Sequence, residues 1–258
     1  MVLNLKLTQF IEGYGLLRKT CFLKKQQRKF DELHDEIKNI EEFLDNYDEL
    51  NKDNKITKGQ IKGIISKLKT KYKSLDKLEC EEIYEIISDK YDQLSKKSRT
   101  EYPHKRSYVL PTSFGNVIRA FELYSYQVYG IDAIAVWTRI VQLAASDHKK
   151  SIEDAKSQVD FALNLFYISY FLLIEYIAMS LFTWTMPAKL VPFLLIFFVW
   201  AFYNIAIDSA KAWGEEVKAV FDLYRYNLLE KMGISGITKS SEKEKWEEIN
   251  QLFLYWNK

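Results

Sequence analysis

Glu175 stands alone as a charge in an apolar or weakly polar run from Phe161 to Ala188. A carboxylate in the middle of such a run is costly in lipid, so it is expected to face protein or water. Asn164 precedes it by about three helical turns, which puts both on one helix face. Asn204 and Asp208, in and just after the next apolar run, could complete a polar membrane face with them. Such a face serves as a hydrogen-bonded contact within the hairpin, as an oligomer contact, or as an ion or proton path. A second set of charges lies outside the apolar runs. Arg119 and Glu122 are three apart, as are Asp222 and Arg225, with Asp132 and Arg139 between them in sequence. These residues are expected to form a juxtamembrane charge network, of which structural salt bridging is the simplest reading and a ligand pocket the other.

Beyond these groups the chemistry is sparse. His34, His104 and His148 lie in polar surroundings without metal-ligand spacing, and Cys21 and Cys80 are too few for a zinc site or a disulfide framework. The chain shows neither a glycine-rich phosphate loop nor a Ser/His/Asp arrangement, so a non-enzymatic protein with no metal, cofactor or catalytic residue is expected. The segment from Glu49 to Gln60 resembles a calcium-binding loop in its oxygen side chains. Asn54 replaces its turn glycine and Gln60 its bidentate carboxylate, so a polar inter-helix turn is the better account. A net charge of +2 argues against nucleic acid as a partner.

The elements that position these residues are helical. Phe161 to Ala188 would give roughly 40 Å of helix and Leu190 to Ile207 roughly 27 Å, against a hydrocarbon core of about 30 Å. Pro187, Lys189 and Pro192 mark the turn between them, so the pair reads as a transmembrane hairpin. Upstream, Phe30, Ile37 and Leu44 alternate with Leu33, Ile40 and Tyr47 in a heptad pattern. Ile61 to Leu75 and Ile83 to Leu94 repeat the spacing, as in a coiled coil or a packed helical bundle. Thr112 or Ser113 can cap a helix that stops at Gly130, whereas Ile131 to Leu143 fits helix and strand about equally. Asp208 to Met232 reads as one helix leaving the bilayer. A last amphipathic helix, with Trp246, Ile249, Phe253 and Trp256 on one face, either packs on the soluble part or lies on the membrane surface.

The expected fold is therefore mainly α: a cytosolic helical bundle (1–100), a juxtamembrane module (101–157), the hairpin (158–208), and an exit helix with a C-terminal amphipathic helix (209–258). Basic residues flank both spans and only Lys189 lies in the turn, which places both termini in the cytoplasm.

Leu110-Pro-Thr-Ser-Phe-Gly-Asn-Val-Ile-Arg-Ala-Phe-Glu122, then Tyr129-Gly-Ile-Asp-Ala133 and Trp137-Thr-Arg139, resembles a signature of uncharacterised multi-pass bacterial inner-membrane proteins. Phe221-Asp-Leu-Tyr-Arg225 is similar to the tail that follows their last span. The likeness departs at Thr138, where the pattern has proline. It implies a bacterial inner membrane and carries no activity with it. The expected function is then a bacterial inner-membrane anchor or scaffold for a helical interaction domain. The alternative is an oligomeric pore-forming effector in defence or stress. The expected partners are the lipid bilayer and either further copies of the chain or a cytosolic protein.

Overall fold

The computed structural model of the protein describes residues 21–52, 80–182, 191–234 and 241–255, and these contain helices and no β-strand. Helix α1 (Cys21–Lys52) lies against α2 (Cys80–Glu101). The heptad seam closes here within the chain. Phe30, Leu33, Ile40 and Phe43 of α1 are buried, as are Ile83, Ile87 and Leu94 of α2. The pair is antiparallel, because Tyr47 stacks on Tyr84 with ring centroids 4.6 Å apart while Phe30 meets Tyr102 edge-on at 5.9 Å. Residues 49–52, the first of the calcium-like loop, are helical, and the rest of that loop lies outside the described residues. So do the repeat over 61–75, the turn over 183–190 and Trp256.

After a single 3-10 turn (Arg106–Tyr108), Thr112 starts α3 (Ser113–Glu122) by accepting a hydrogen bond from the Gly115 amide at 3.0 Å. The Asn116 side chain braces the same corner, accepting from the Leu110 amide at 2.6 Å and donating to its carbonyl at 3.1 Å. The single helix expected as far as Gly130 is two: α3 ends at Leu123 and α4 (Tyr124–Tyr129) follows. Gly130 closes α4 at φ 78°, a left-handed conformation that favours glycine. The ambiguous segment is helix α5 (Ala133–Leu143), because Asp132 caps it, accepting from the Ile134 and Ala135 amides at 2.9 and 3.2 Å. Val136 and Ile140, one turn apart, then bury one face.

Helices α6 (Ser146–Phe182) and α7 (Val191–Lys231) run antiparallel. His148 lies beside Tyr224 at one end of the pair, and the rings of Phe166 and Tyr203 are 5.7 Å apart further along. Both helices divide into two parts. Their apolar stretches bury only 17% and 6% of their residues within the protein, and Phe171, Phe193 and Trp200 are more than half exposed. A buried core helix of a soluble protein would be mostly covered, so these surfaces fit a lipid surrounding. The lower parts of α6 and α7 instead enter a protein core with α3, α5 and α8 (Glu242–Tyr255). That core holds Phe114, Phe121, Val136, Ile140, Val220, Phe221 and Trp246. The aromatic face of α8 packs on this core through Trp246 and Ile249, both at most 1% exposed.

Gly214 sets the approach of α3 to α7. A Cβ at that position would stand 2.6 Å from Cδ1 of the buried Phe121. Alanine favours a helix interior over glycine by about 1 kcal/mol, but overpacking a tight core costs about 1–3 kcal/mol. Gly214→Ala is therefore expected to lower the thermal midpoint of the detergent-solubilised protein by several degrees, read by circular dichroism. An unchanged or higher midpoint would mean that Phe121 yields freely.

Candidate functional site

The densest polar cluster joins α4, α7 and α8. Asp222 of α7 accepts hydrogen bonds from the hydroxyls of Tyr124 and Tyr129 at 2.9 and 2.7 Å. One turn on, Nε of Arg225 meets Oε1 of Glu242 at 2.9 Å, and the Tyr226 hydroxyl donates to Oε2 of Glu242, also at 2.9 Å. The Arg225 guanidinium lies over the rings of Tyr129 and Tyr226, 4.1 and 4.4 Å from their centroids, and donates to the carbonyl of Asp222. The Arg225 and Glu242 side chains are only 14% and 8% exposed, so neither charge has water as an easy substitute partner. Asn250 of α8 adds a second tie, donating to the Gly130 carbonyl at 2.6 Å and accepting from the Asp132 amide at 3.1 Å. Together these bonds hold the C-terminal helix to the rest of the head.

Burial, followed by the Asp222 carboxylate, pushes the Tyr124 and Tyr129 phenols above their ordinary value of 10.0. Groups whose folded value is raised lend stability that is whole below pH 10 and is lost as pH rises through the folded values. Two outcomes are expected. Alkaline titration followed at the phenolate absorbance band should show late-ionising tyrosines that disappear in the double Tyr124→Phe/Tyr129→Phe variant. Arg225→Ala strands the buried Glu242, at a cost of about 3–5 kcal/mol, and should speed proteolytic cleavage within residues 235–255. Equal cleavage rates would mean that the pair does not hold α8.

Two open cavities flank the cluster. The smaller, about 440 Å³, has Arg119, Glu122 and Asp132 among its walls and Tyr108, Tyr126 and Ile134 at its rim. Arg119 and Glu122 form an ion pair at 3.2 Å, and burial, partly offset by Arg119, raises the Glu122 carboxyl above its usual range. The larger, a groove of about 1100 Å³, runs between the end of α2, the α3–α4 corner and α7. Lys211 crosses it to Glu101 at 2.8 Å and also reaches Asp208 at 3.2 Å. Lys218 pairs with Glu215 at 2.9 Å, and burial, then the charge of Lys105, lowers His104.

The structure divides the expected charge network. Arg119, Glu122 and Asp132 share the smaller cavity, Asp222 and Arg225 belong to the tyrosine cluster, and Arg139 stands apart over the Phe253 ring at 4.0 Å. The four residues of the expected membrane face are not hydrogen-bonded to one another among the described residues. Asn164 and Glu175 are exposed on the outside of α6, Asn204 donates to the carbonyl of Trp200 at 2.7 Å, and Asp208 pairs with Lys211. Tyr124, Tyr129, Tyr226 and Glu242 are the site residues that sequence reasoning missed. Glu242 left a faint signal as a carboxylate in the first turn of the last helix. No group of three or more His, Cys, Asp or Glu suited to a metal occurs among the described residues.

A helical head whose polar groups pair within the chain, carried on two helices long and apolar enough to cross a membrane, fits the class of helical membrane proteins. Residues 1–206 match the family model described as Plasmodium variant antigen protein Cir/Yir/Bir, and the chain belongs to that family. No curated protein and no solved structure matches it.

The family match corrects the bacterial resemblance and everything that rested on it. The chain is not a member of a bacterial inner-membrane family. The expected location in that membrane, with both termini in a bacterial cytoplasm, falls with it. So do the roles of bacterial anchor or scaffold and of bacterial pore-forming effector. The misleading signature has a physical explanation. Thr112 caps α3, Asn116 braces its first corner, Gly130 ends α4 and Asp132 caps α5. Local helix starts and stops select such residues in any lineage.

Proposed function

We propose that this chain is a membrane-anchored variant antigen that acts through display of its helical head rather than through catalysis. The α6–α7 hairpin is the anchor, and the bilayer is its first partner. The observation that carries this reading is the family match over residues 1–206, taken with apolar windows in α6 and α7 that are 17% and 6% buried. The pairing of Lys211 with Glu101 and of Arg225 with Glu242, each joining two helices, and of Arg119 with Glu122 within α3 supports a non-enzymatic role, because these charges are committed to partners within the head.

The anchor is tested by alkaline carbonate extraction of the full chain from membranes. The unmodified chain should stay in the pellet. Phe171→Arg combined with Phe197→Arg, each costing about 2.5–3.5 kcal/mol at mid-span, should move a large fraction to the supernatant. Full extraction of the unmodified chain would refute the anchor.

A further inference from the structure

The α1–α2 pair is rooted where the apolar part of the hairpin ends. The Phe114 amide donates to the Tyr203 hydroxyl at 3.4 Å, which sets the start of α3 beside the last turns of the apolar stretch of α7. The neighbouring Ser113 hydroxyl accepts from Nε2 of Gln26 at 3.2 Å, and the Tyr102 hydroxyl donates to Oε1 of Gln26 at 3.4 Å. Glu101, the last residue of α2, is held by Lys211 at 2.8 Å. Lys211 lies four residues past Ile207, roughly 6 Å along the helix, within the depth of a headgroup layer. The first turns of α1 and the last turns of α2 therefore meet at one level, the foot of the hairpin.

Both helices are polarised in charge about that level. Between Cys21 and Phe30, α1 carries Lys24, Lys25, Arg28 and Lys29 and no acid, whereas from Asp31 to Glu49 acids dominate. In α2, acids dominate from Glu81 to Asp92. From there to Arg106, Lys96, Lys97, Arg99, Lys105 and Arg106 face a single acid, Glu101. The helix dipole favours cations at the end of α2 but gives no reason for those of α1. Arg28 and Arg106 are paired, with Glu32 at 3.2 Å and Asp31 at 2.8 Å. Lys24, Lys25, Lys29, Lys96, Lys97 and Arg99 are exposed and have no carboxylate partner among the described residues, the last three at the edge of the groove that Lys211 crosses. Phe22, in the first turn of α1, is 54% exposed beside them.

We propose that this basic collar docks on anionic phospholipid headgroups of the leaflet at the foot of the hairpin, so that lipid charge fixes the root of the α1–α2 pair to the membrane surface. The inference rests on the anchor reading of α6 and α7. The alternating cations of two helices meet a surface of negative charge directly continuous with the apolar belt, and Phe22 reaches the same layer. Each basic residue near such a surface is worth roughly a fivefold preference. The acidic far halves of both helices are repelled from it, so the arrangement is polar in sense as well as in charge.

Cys21 is free and exposed at the root, which makes it a reporter. The full chain, with Cys80→Ser, is labelled at Cys21 with an environment-sensitive fluorophore and reconstituted in nanodiscs of phosphatidylcholine alone or with about one-third phosphatidylserine (the order of anionic content at which such potentials act). Anionic discs should blue-shift the label and shield it from acrylamide, and 0.5 M salt should reverse both effects, as screening at roughly a 3–5 Å Debye length requires. Replacing Lys24, Lys25, Lys29, Lys96, Lys97 and Arg99 by glutamine should remove the response while helix content stays constant. Identical behaviour in both lipids, or a glutamine variant that still responds, overturns the proposal. Reversal by millimolar inorganic phosphate at constant ionic strength also overturns it, since the collar would then bind free phosphate. Failure of the chain to enter discs at all would sink the anchor reading too, and that outcome is scored separately by co-purification with the disc.

Discussion

Helices α6 and α7 are each part uncovered and apolar and part buried in a protein core, and the rest of the structure is built on that division. Their apolar parts leave most of their surface uncovered by protein, while their lower parts are buried among α3, α5 and α8. A helix that crosses from one surrounding to the other keeps its own backbone hydrogen bonds, but its side chains must change character at one level. That level is visible in the residues. Phe161 and Ile205 are exposed and apolar, and close by the pairs Lys156–Asp160 and Asp208–Lys211 are formed. The head is organised around the lower halves of the two helices, and the helices that build it are attached to them by buried contacts or paired charges.

The strongest of these attachments replace size with specificity. Helix α8 is short, yet Trp246 and Ile249 are fully covered and Asn250, Glu242 and their partners fix its position. A buried ion pair adds little net stability over an apolar contact of the same shape, but it penalises any arrangement that separates its members. Arg225, held between two tyrosine rings and a carboxylate, has one position that satisfies it. The Gly214–Phe121 contact plays the corresponding part for α3.

Much of the fold was legible in local pattern. The seam of Phe30, Leu33 and Ile40, the stop at Gly130 and the two long apolar runs all appear in the structure as the periodicities suggest. Helix α5 was not legible, since its β-branched residues suit either state and the Asp132 cap decides only in three dimensions. The Arg119–Glu122 pair was readable because its members are one turn apart. Asp222 was readable as a charge but not as the acceptor of Tyr124 and Tyr129, which lie 98 and 93 residues away in sequence. Lineage was the deepest failure. Capping residues carry strong local signals and little ancestry, so a short signature built on them pointed to bacteria, whereas the match over residues 1–206 gave a Plasmodium family.

The unbroken course of α7 from Val191 to Lys231 has a mechanical consequence. A helix without an internal break transmits rotation, so whatever tilts its apolar half turns the head by the same angle. Apolar helices tilt by about 20° to match a bilayer thinner than themselves. A point on the head roughly 30 Å from the lipid surface would then sweep through roughly 10 Å, about the width of one helix. On the anchor reading, the tilt of the hairpin in the bilayer and the orientation of the head are therefore one variable, held in check by whatever else ties the head to the surface.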